Sequence, residues 1–211
     1  MNYLAHLLLA DDTDAGRIGS LLGDFTNVPN DRLAATYGEA LAEGVIEHRR
    51  LDAFTDSHEA VLAAVGLLFP RHRHASRIVI DILFDHFLSV HWETYCLVDR
   101  AAFIGECHAT LARVDQNDER LPERFRLFAQ RLAGAGMLAA YVSLEGVGVA
   151  LERVSSRTPR GSSIREALPD IRACYQPLER CFARFFPDAC AMARRRGRTA
   201  LLAPAVDRAG A

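Results

Sequence analysis

Acidic and imidazole side chains recur at helical spacing in segments that are otherwise apolar. Asp81 and Asp85 lie one helical turn apart in the segment IVIDILFDHFLSVHW, residues 78–92, which is apolar on nearly every side. We expect such a helix to be buried, and buried carboxylates are costly unless they are paired, hydrogen-bonded or bound to a cation. The full set of such side chains comprises His6, Asp24, His48, Asp52, Asp56, Asp81, Asp85, His86 and His91.

Imidazole and carboxylate groups together form the ligand set of a divalent metal ion. They suit Mn²⁺, Fe²⁺ or Zn²⁺, and an oxygen-rich set without thiolates favours Mn²⁺ or Mg²⁺. Such an ion polarises a phosphoryl oxygen and lowers the pKa of a bound water. Structural roles stay open at this point. His6 can be a hydrogen-bonded core residue, and Asp52 and Asp56 can pair with a neighbouring arginine on a solvated face.

Several familiar catalytic motifs are absent from the sequence. It contains no GxxxxGK[ST] loop, GxGxxG turn, GxSxG elbow or HExxH pair. Nucleophilic serine or cysteine catalysis therefore has no motif to support it. The five cysteines include no CxxC pair, which favours reduced thiols in a cytoplasmic protein over a disulfide framework or a thiolate zinc site.

Composition and charge narrow the class of partner. Half of the residues are hydrophobic and 25% are charged, as in an ordinary globular protein. The formal net charge of −2 argues against binding nucleic acid by bulk charge. No run approaches the roughly 20 apolar residues of a membrane span, and MNYLAHLLLA lacks the basic leader and cleavage site of a signal peptide. We expect a cytoplasmic protein with neither a nucleic-acid nor a membrane partner.

The apolar spacing predicts an all-α protein, because alternating strand patterns bounded by turn residues do not occur. We expect one helical bundle domain over residues 1–194 and a flexible tail over 195–211. Pro70 is expected to stop a helix, and Gly38 and Gly44 to weaken one. Segment 138–154 is compatible with helix or strand. Residues 31–54 are predicted as one longer helix or a pair of helices. Further helices are predicted over residues 3–9, 17–25, 59–69, 78–92, 99–114, 122–132 and 164–186, with a bend near Pro177, and a loop over 155–163.

Four segments follow one another along the chain: MNYLAHLLLA at residues 1–10, LLGDF at 21–25, EHRRLDAFTD at 47–56 and DILFDHFLSVHW at 81–92. In this order they resemble segments of the acyl carrier protein phosphodiesterase family. A C-terminal RxxYxPLExxFxxFFP pattern, from Arg172 to Pro187, is similar as well. The resemblance therefore extends from residue 1 to about residue 187.

This resemblance implies a helical fold related to the HD metal phosphohydrolases, although the central segment has the order Asp-His instead of His-Asp. It also implies a divalent metal, Mn²⁺ before Mg²⁺ or Fe²⁺. The implied reaction hydrolyses the phosphodiester that joins 4′-phosphopantetheine to a serine of holo-acyl carrier protein. The metal ligands implied at matching positions are His6, Asp24, His48, Asp52, Asp81 and Asp85.

Roles beyond metal binding are hypotheses drawn from the chemistry. Asp24 can be a ligand or the base that orients the attacking water, and His86 can protonate the departing serine oxygen. Arg49 can neutralise charge that develops on the phosphoryl group, as can Arg50 or Arg157. The carrier is small, acidic and helical, so its docking surface should be basic. The candidates for that surface are Arg71, Arg73, Arg77, Arg157 and Arg160.

Two other functions stay open beside this one. The first is a related metal phosphohydrolase that acts on a nucleotide or another small phosphodiester. The second is a helical binding module without catalytic activity. Activity on small substrates without a carrier protein would favour the first, and the lack of any metal-dependent stabilisation would favour the second.

Overall fold

The computed structural model describes residues 1–134, 136–157, 162–195 and 201–204. Within these ranges the secondary structure is helical and contains no strand, which confirms the predicted all-α class. The helices are α1 Tyr3–Leu9, α2 Asp14–Leu22, α3 Asn30–Tyr37, α4 Glu39–Ser57, α5 Glu59–His72, α6 Ala75–Val90, α7 Trp92–Tyr95, α8 Arg100–Ala112, α9 Glu123–Gly134, α10 Met137–Ala140, α11 Leu144–Ser155, α12 Ser162–Arg165, α13 Leu168–Ala173 and α14 Tyr175–Arg194, and a 3-10 turn spans Gly23–Phe25.

The apolar central segment forms α6, and several other helices pack against it. Eleven of its 16 residues are buried, and it contacts α1, α5, α11 and α14. The ring of Phe84 lies 5.4 Å from that of Phe182 and 5.6 Å from that of Phe185, both on α14. Burial of each such side chain stabilises the fold by about 1.5–3 kcal/mol. The aromatic residues of the C-terminal pattern therefore hold α14 against α6.

Helices α2 and α4 approach each other through glycine. A Cβ atom added at Gly19 would lie 2.5 Å from the carbonyl oxygen of Leu41, and one at Gly44 would lie 2.8 Å from the Cα atom of Gly19. Only glycine permits this separation. The sequence suggested that Gly44 weakens a helix, but α4 continues through it. Gly38, in contrast, ends α3 with a φ of 86°. The close contact brings the end of α2 beside the middle of α4.

The prediction that Pro70 stops a helix is wrong. Helix α5 continues through Pro70 to His72 and ends where Arg73 adopts a φ of 51°. Pro70 lies in the last turn of the helix. Its missing N–H therefore removes at most one backbone hydrogen bond, and the helix tolerates this loss. Arg73, and not the proline, ends the helix.

Three other predictions about helix bounds are corrected. The helix predicted over 78–92 ends at Val90, and His91 separates α6 from α7. The helix predicted over 164–186 is divided into α12, α13 and α14. Pro177 lies in the first turn of α14, where backbone N–H groups have no helical partner, so it forms no bend there. The ambiguous segment 138–154 is helical, forming α10 and most of α11.

Part of the C-terminal segment is attached to the domain. Leu202 is buried, and residues 201 and 203 exchange backbone hydrogen bonds of 2.9 Å with residues 97 and 95. Residues 196–200 and 205–211 of the tail predicted to be flexible lie outside the described residues, as do residues 158–161 of the predicted loop. Among the described helices, none has the length and hydrophobicity that crossing a membrane requires.

Candidate metal centre

Two imidazoles and one carboxylate meet where α1 packs against α4. One oxygen of Asp52 lies 3.1 Å from Nε2 of His6, and the other lies 3.0 Å from Nε2 of His48. The two imidazole rings are stacked with their centroids 4.3 Å apart. One ligand atom from each of the three residues lies within 4.8 Å of the others. The arrangement presents three potential metal ligands to one point.

A second carboxylate, that of Asp24, lies at the edge of this cluster. Oδ1 of Asp24, in the 3-10 turn after α2, is 3.4 Å from Nε2 of His48. Its side chain is 49% exposed, whereas His6 and His48 are buried. We refer to His6, Asp24, His48 and Asp52 as the metal cluster. Asp24 is the member of the cluster most open to solvent, which suits contact with a substrate or a water molecule.

Local sequence explains how α4 presents its two ligands. His48 and Asp52 are four residues apart, so helix geometry puts both side chains on the face that contacts α1 and α2. Gly23 leaves room for the first of them, because a Cβ atom there would lie only 2.2 Å from Cδ2 of His48. The glycine of the LLGDF segment therefore allows the His48 ring to reach the cluster.

The hydrogen bonding of His6 provides a test of whether the cluster suits a metal ion. His6 is 2% exposed, and neither of its ring nitrogens makes a hydrogen bond of normal geometry, although Nε2 is 3.1 Å from Asp52. Nδ1 of His48 is also buried without a partner. Buried polar atoms without partners are rare and cost about 1–3 kcal/mol. A cation between the imidazoles and carboxylates would satisfy such atoms, so the donor set fits a divalent ion.

The charges within the cluster are strongly coupled. Burial lowers the pKa of His6, which favours its neutral, metal-binding form. Burial also opposes protonation of His48, but Asp24 and Asp52 outweigh that effect and raise its pKa to about 9. Burial alone would raise the pKa of Asp52, yet His48 and His6 hold it well below its usual range. A metal ion would therefore replace the proton on His48 and meet an ionised Asp52.

The structure does not bring Asp85 to the metal cluster. Its two oxygens accept hydrogen bonds from the backbone N–H groups of Leu4 and Ala5, at 2.8 and 3.0 Å. Asp85 is fully buried. This burial raises its pKa to about 7, although the hydrogen bonds from the two backbone amides act to lower it. Because the amides belong to the first turn of α1, Asp85 anchors the helix that carries His6. Its position indicates a supporting role.

Asp81 is directed to the N-terminus of the chain. Its Oδ1 lies 3.1 Å from the α-amino group of Met1, and the side chain is 42% exposed. Asp81 is on the same face of α6 as Asp85, as its spacing predicted. Both acids of α6 therefore hold the beginning of the chain, and neither contributes an oxygen to the metal cluster.

The histidines of the central segment have partners of their own. Nδ1 of His86 donates to the carbonyl oxygen of Tyr141 at 2.8 Å, and its Nε2 accepts from the hydroxyl of Tyr175 at 2.9 Å. Burial lowers the pKa of His86. His91 lies 2.8 Å from Glu179. Both histidines connect α6 to other helices, and the structure does not bring either to the predicted site.

Arg49 lies in an open cleft of about 530 Å³ that also exposes Asp24, His48 and Asp52. Its guanidinium donates to Oδ1 of Asn30 at 2.6 Å and to the carbonyl oxygen of Thr26 at 3.1 Å. These two bonds orient the positive charge beside the cluster. Sequence reasoning identified Arg49 but missed its supports, because neither residue belongs to a recognisable motif.

The expected basic docking surface is only partly available. Arg71 pairs with Asp170 at 2.6 Å, and Arg77 pairs with Asp56 at 2.9 Å. Arg50 pairs with Glu47 on the same helix. Arg73 and Arg157 are exposed, and Arg160 lies outside the described residues. Asp56 is therefore paired and exposed to solvent, as the alternative interpretation predicted, but its partner is Arg77 of α6 and not Arg49 or Arg50.

Comparison with known proteins finds relatives along nearly the whole chain. The sequence model of the family described as acyl carrier protein phosphodiesterase matches residues 1–189. The acyl carrier protein phosphodiesterase of Salmonella agona (strain SL483) is 33% identical over 198 residues, which cover 93% of this chain and 99% of the relative. Its counterpart from Serratia proteamaculans (strain 568) is 30% identical over 194 residues, with coverage of 92% and 98%. No solved structure matches significantly, so the HD-like architecture stays a prediction.

Proposed function

The chain belongs to the acyl carrier protein phosphodiesterase family, and we propose that it hydrolyses the phosphodiester between 4′-phosphopantetheine and a serine of holo-acyl carrier protein in a metal-dependent reaction. The products are the apo-carrier and 4′-phosphopantetheine. The observation that carries this proposal is the buried His6, whose ring nitrogens make no hydrogen bond of normal geometry with any described residue, although Nε2 lies 3.1 Å from Asp52. A histidine in that environment suits metal binding better than a purely structural role.

His6, His48 and Asp52 would hold the ion, with Asp24 as the further ligand or as the base. Mn²⁺ is the ion we propose, because the set combines imidazole with carboxylate oxygen and contains no thiolate. When bound, a divalent ion supplies Lewis-acid chemistry that polarises a phosphoryl oxygen and lowers the pKa of water. The HD-like relationship and the metal identity are parts of the same proposal.

Hydrolysis adds the oxygen of water to phosphorus and breaks the bond from phosphorus to the serine oxygen. One proton leaves the water, and one proton must reach the serine oxygen. Asp24 is half exposed at the cleft and 3.4 Å from His48, which supports a role in accepting the proton. His86 has both ring nitrogens engaged by Tyr141 and Tyr175, so the proposal does not use it as the acid.

Arg49 supplies positive charge to the phosphoryl group. Its guanidinium lies in the cleft that Asp24 and Asp52 also line. The bonds to Thr26 and Asn30 use two of its five N–H donors, and the others are available to phosphate oxygens. Charge that increases on the phosphoryl oxygens during the reaction is therefore stabilised by a group oriented beforehand.

The test is mass spectrometry of a holo-acyl carrier protein incubated with the metal-free protein, with and without added Mn²⁺. We expect Mn²⁺-dependent loss of the phosphopantetheine mass. Asp52→Asn should abolish this loss. Asp56→Asn should not, because Asp56 lies one turn further along α4 and pairs with Arg77. An unchanged carrier in the presence of the folded wild-type protein would refute the proposal. Turnover of a nucleotide or other small phosphodiester would then favour the first alternative.

A further inference from the structure

A mostly apolar cavity of about 590 Å³ lies between α9 and α11, beside α1. This volume is within the range of about 300–1,000 Å³ that is usual for small-ligand sites. Most of its wall is carbon, and the polar groups at the wall include Asn2 and Tyr141, whose side chains share a 2.7 Å hydrogen bond. The apolar lining includes Tyr3, Phe25, Ile82, Leu132, Met137 and Ala150.

The cavity and the metal cluster share a wall. Tyr3 lies on α1 one turn before His6, and Phe25 directly follows Asp24. Both rings pack on Phe128 of α9, each with centroids 4.8 Å apart. Tyr3 and Phe25 thus line the cavity, and they are close in sequence to His6 and Asp24 of the metal cluster. A molecule with its phosphate at the cluster can direct a neighbouring chain into the cavity.

Four arginines lie at the mouth of the cavity. Arg124 and Arg131 come from α9, Arg153 comes from α11, and Arg157 follows α11. All four are exposed, and in the described part of the chain no carboxylate oxygen lies within 4.0 Å of their guanidinium groups. By contrast, the exposed Arg113 pairs with Asp14 at 2.7 Å, and the exposed Arg71 pairs with Asp170 at 2.6 Å. The mouth thus concentrates positive charge that no internal carboxylate neutralises, in a chain of net charge −2.

We infer, on the basis of the proposed function, that this cavity receives the pantetheine arm of the carrier while the four arginines contact the acidic surface of the carrier. The arm is a chain of methylene and dimethyl groups that also contains two amides, one hydroxyl and a terminal thiol. An apolar wall with few polar groups matches that composition, and Asn2 and Tyr141 can bond the amides. Unpaired arginines match an acidic partner in charge. The cavity therefore distinguishes pantetheine esters from other phosphodiesters, whereas the metal cluster acts on either.

The test fills the cavity by substitution and measures the activity of each variant on two substrates. Ala150→Trp puts an indole into the cavity from α11, and Val149→Trp is the matched control, since Val149 is half exposed on the same helix and does not line the cavity. We expect Ala150→Trp to lower kcat/KM for the holo-carrier at least tenfold. We expect both variants to hydrolyse bis(4-nitrophenyl) phosphate with Mn²⁺ at the wild-type rate. Calorimetry should show binding of pantetheine itself to the wild type and to Val149→Trp, and none to Ala150→Trp.

Charge reversal at the mouth tests whether the arginines contact the acidic surface of the carrier, and it changes no buried side chain. Arg153→Glu should raise KM for the holo-carrier about tenfold and leave kcat unchanged, and it should weaken the dependence of KM on salt. Arg180→Glu on α14 makes the same change of net charge away from the mouth and should have no such effect.

The outcomes separate this inference from the proposed function. A wild-type protein that removes no phosphopantetheine refutes the proposed function. A wild-type protein that removes it, together with Ala150→Trp and Arg153→Glu variants that keep wild-type kcat/KM, refutes the cavity as the site of the arm. Equal binding of pantetheine by all variants leads to the same conclusion. If Ala150→Trp lost activity on both substrates, its metal cluster would be disturbed. The KM of Arg153→Glu for the holo-carrier would then decide, and a wild-type KM would refute the inference.

Discussion

Gly23→Ala is expected to displace His48 without straining the backbone. A Cβ atom at Gly23 would lie 2.2 Å from Cδ2 and 2.3 Å from Cγ of the His48 imidazole. Gly23 has a φ of −50° and a ψ of −39°, which alanine adopts readily. The substitution therefore acts on the imidazole ring and leaves the local backbone geometry intact.

The size of the effect follows from these distances. To restore ordinary van der Waals contact, the ring must retreat by about 1 Å, whereas ligand distances in metal sites tolerate about 0.2 Å. Loss of even an outer partner of a ligand lowers metal affinity by about 10–100-fold. We therefore expect Gly23→Ala to weaken Mn²⁺ binding at least tenfold, which corresponds to about 1.4 kcal/mol.

The assay is thermal unfolding of the metal-free protein at increasing Mn²⁺ concentration, supported by calorimetry. Wild-type protein should gain about 2.7 kcal/mol at 100 times the dissociation constant, and Gly23→Ala should need at least ten times more Mn²⁺ for the same gain. Gly66→Ala is the control, because no atom lies within 4 Å of a Cβ atom at that position of α5. If Gly23→Ala bound Mn²⁺ as tightly as Gly66→Ala does, His48 would not be a ligand in the geometry described.

Four further outcomes are expected. Gly44→Ala should unfold at a temperature about 2–10 °C below that of Gly66→Ala, since it forces α2 and α4 apart at a cost of about 1–3 kcal/mol; calorimetric melting checks this. Asp52→Asn should lose the Mn²⁺-induced rise in melting temperature and Asp85→Asn should keep it, and the reverse result would make Asp85 the ligand. The pKa of Asp85 is about 7 in the fold and about 4 when unfolded, so the folded chain binds one more proton between these values. Stability should therefore fall as pH rises from about 4 to about 7, by at most about 1.4 kcal/mol per unit, and urea titrations of Asp85→Asn should lack this contribution. Arg49→Ala should lower kcat/KM for the holo-carrier by about 10–100-fold in steady-state assays while the melting temperature changes by less than that of Gly44→Ala.

The sequence was sufficient to predict the helical class and the helix face that His48 and Asp52 share. Apolar spacing predicted α6 as the buried centre, and its burial confirms this. The separation of His48 and Asp52 by four residues predicted a shared helix face, and the structure has both side chains in contact. Such predictions succeed because helix geometry relates residues three or four positions apart whatever the rest of the chain does.

The sequence could not distinguish which acids meet the histidines. Asp52 and Asp85 both lie at helical spacing from other acids or histidines in motif-like segments, yet Asp52 faces two imidazoles and Asp85 accepts two backbone amides. The amide donors are about 80 positions away along the chain, and a backbone N–H group leaves no mark on residue type. Only the packing of α1 on α6 decided that Asp85 holds a helix end.

The cavity beside the cluster was equally inaccessible to sequence reasoning. Two of its arginines come from α9, which was predicted as a helix, and Arg153 comes from the segment where helix and strand could not be separated. Their significance depends on which arginines have carboxylate partners, and those partners lie far away in sequence, as Asp14 does from Arg113. The spacing of residues in the sequence was therefore enough to predict most of the helices and which kinds of side chain form the candidate site. Tertiary packing determined the partners of each charge, because burial and pairing are properties of the neighbours that folding brings together.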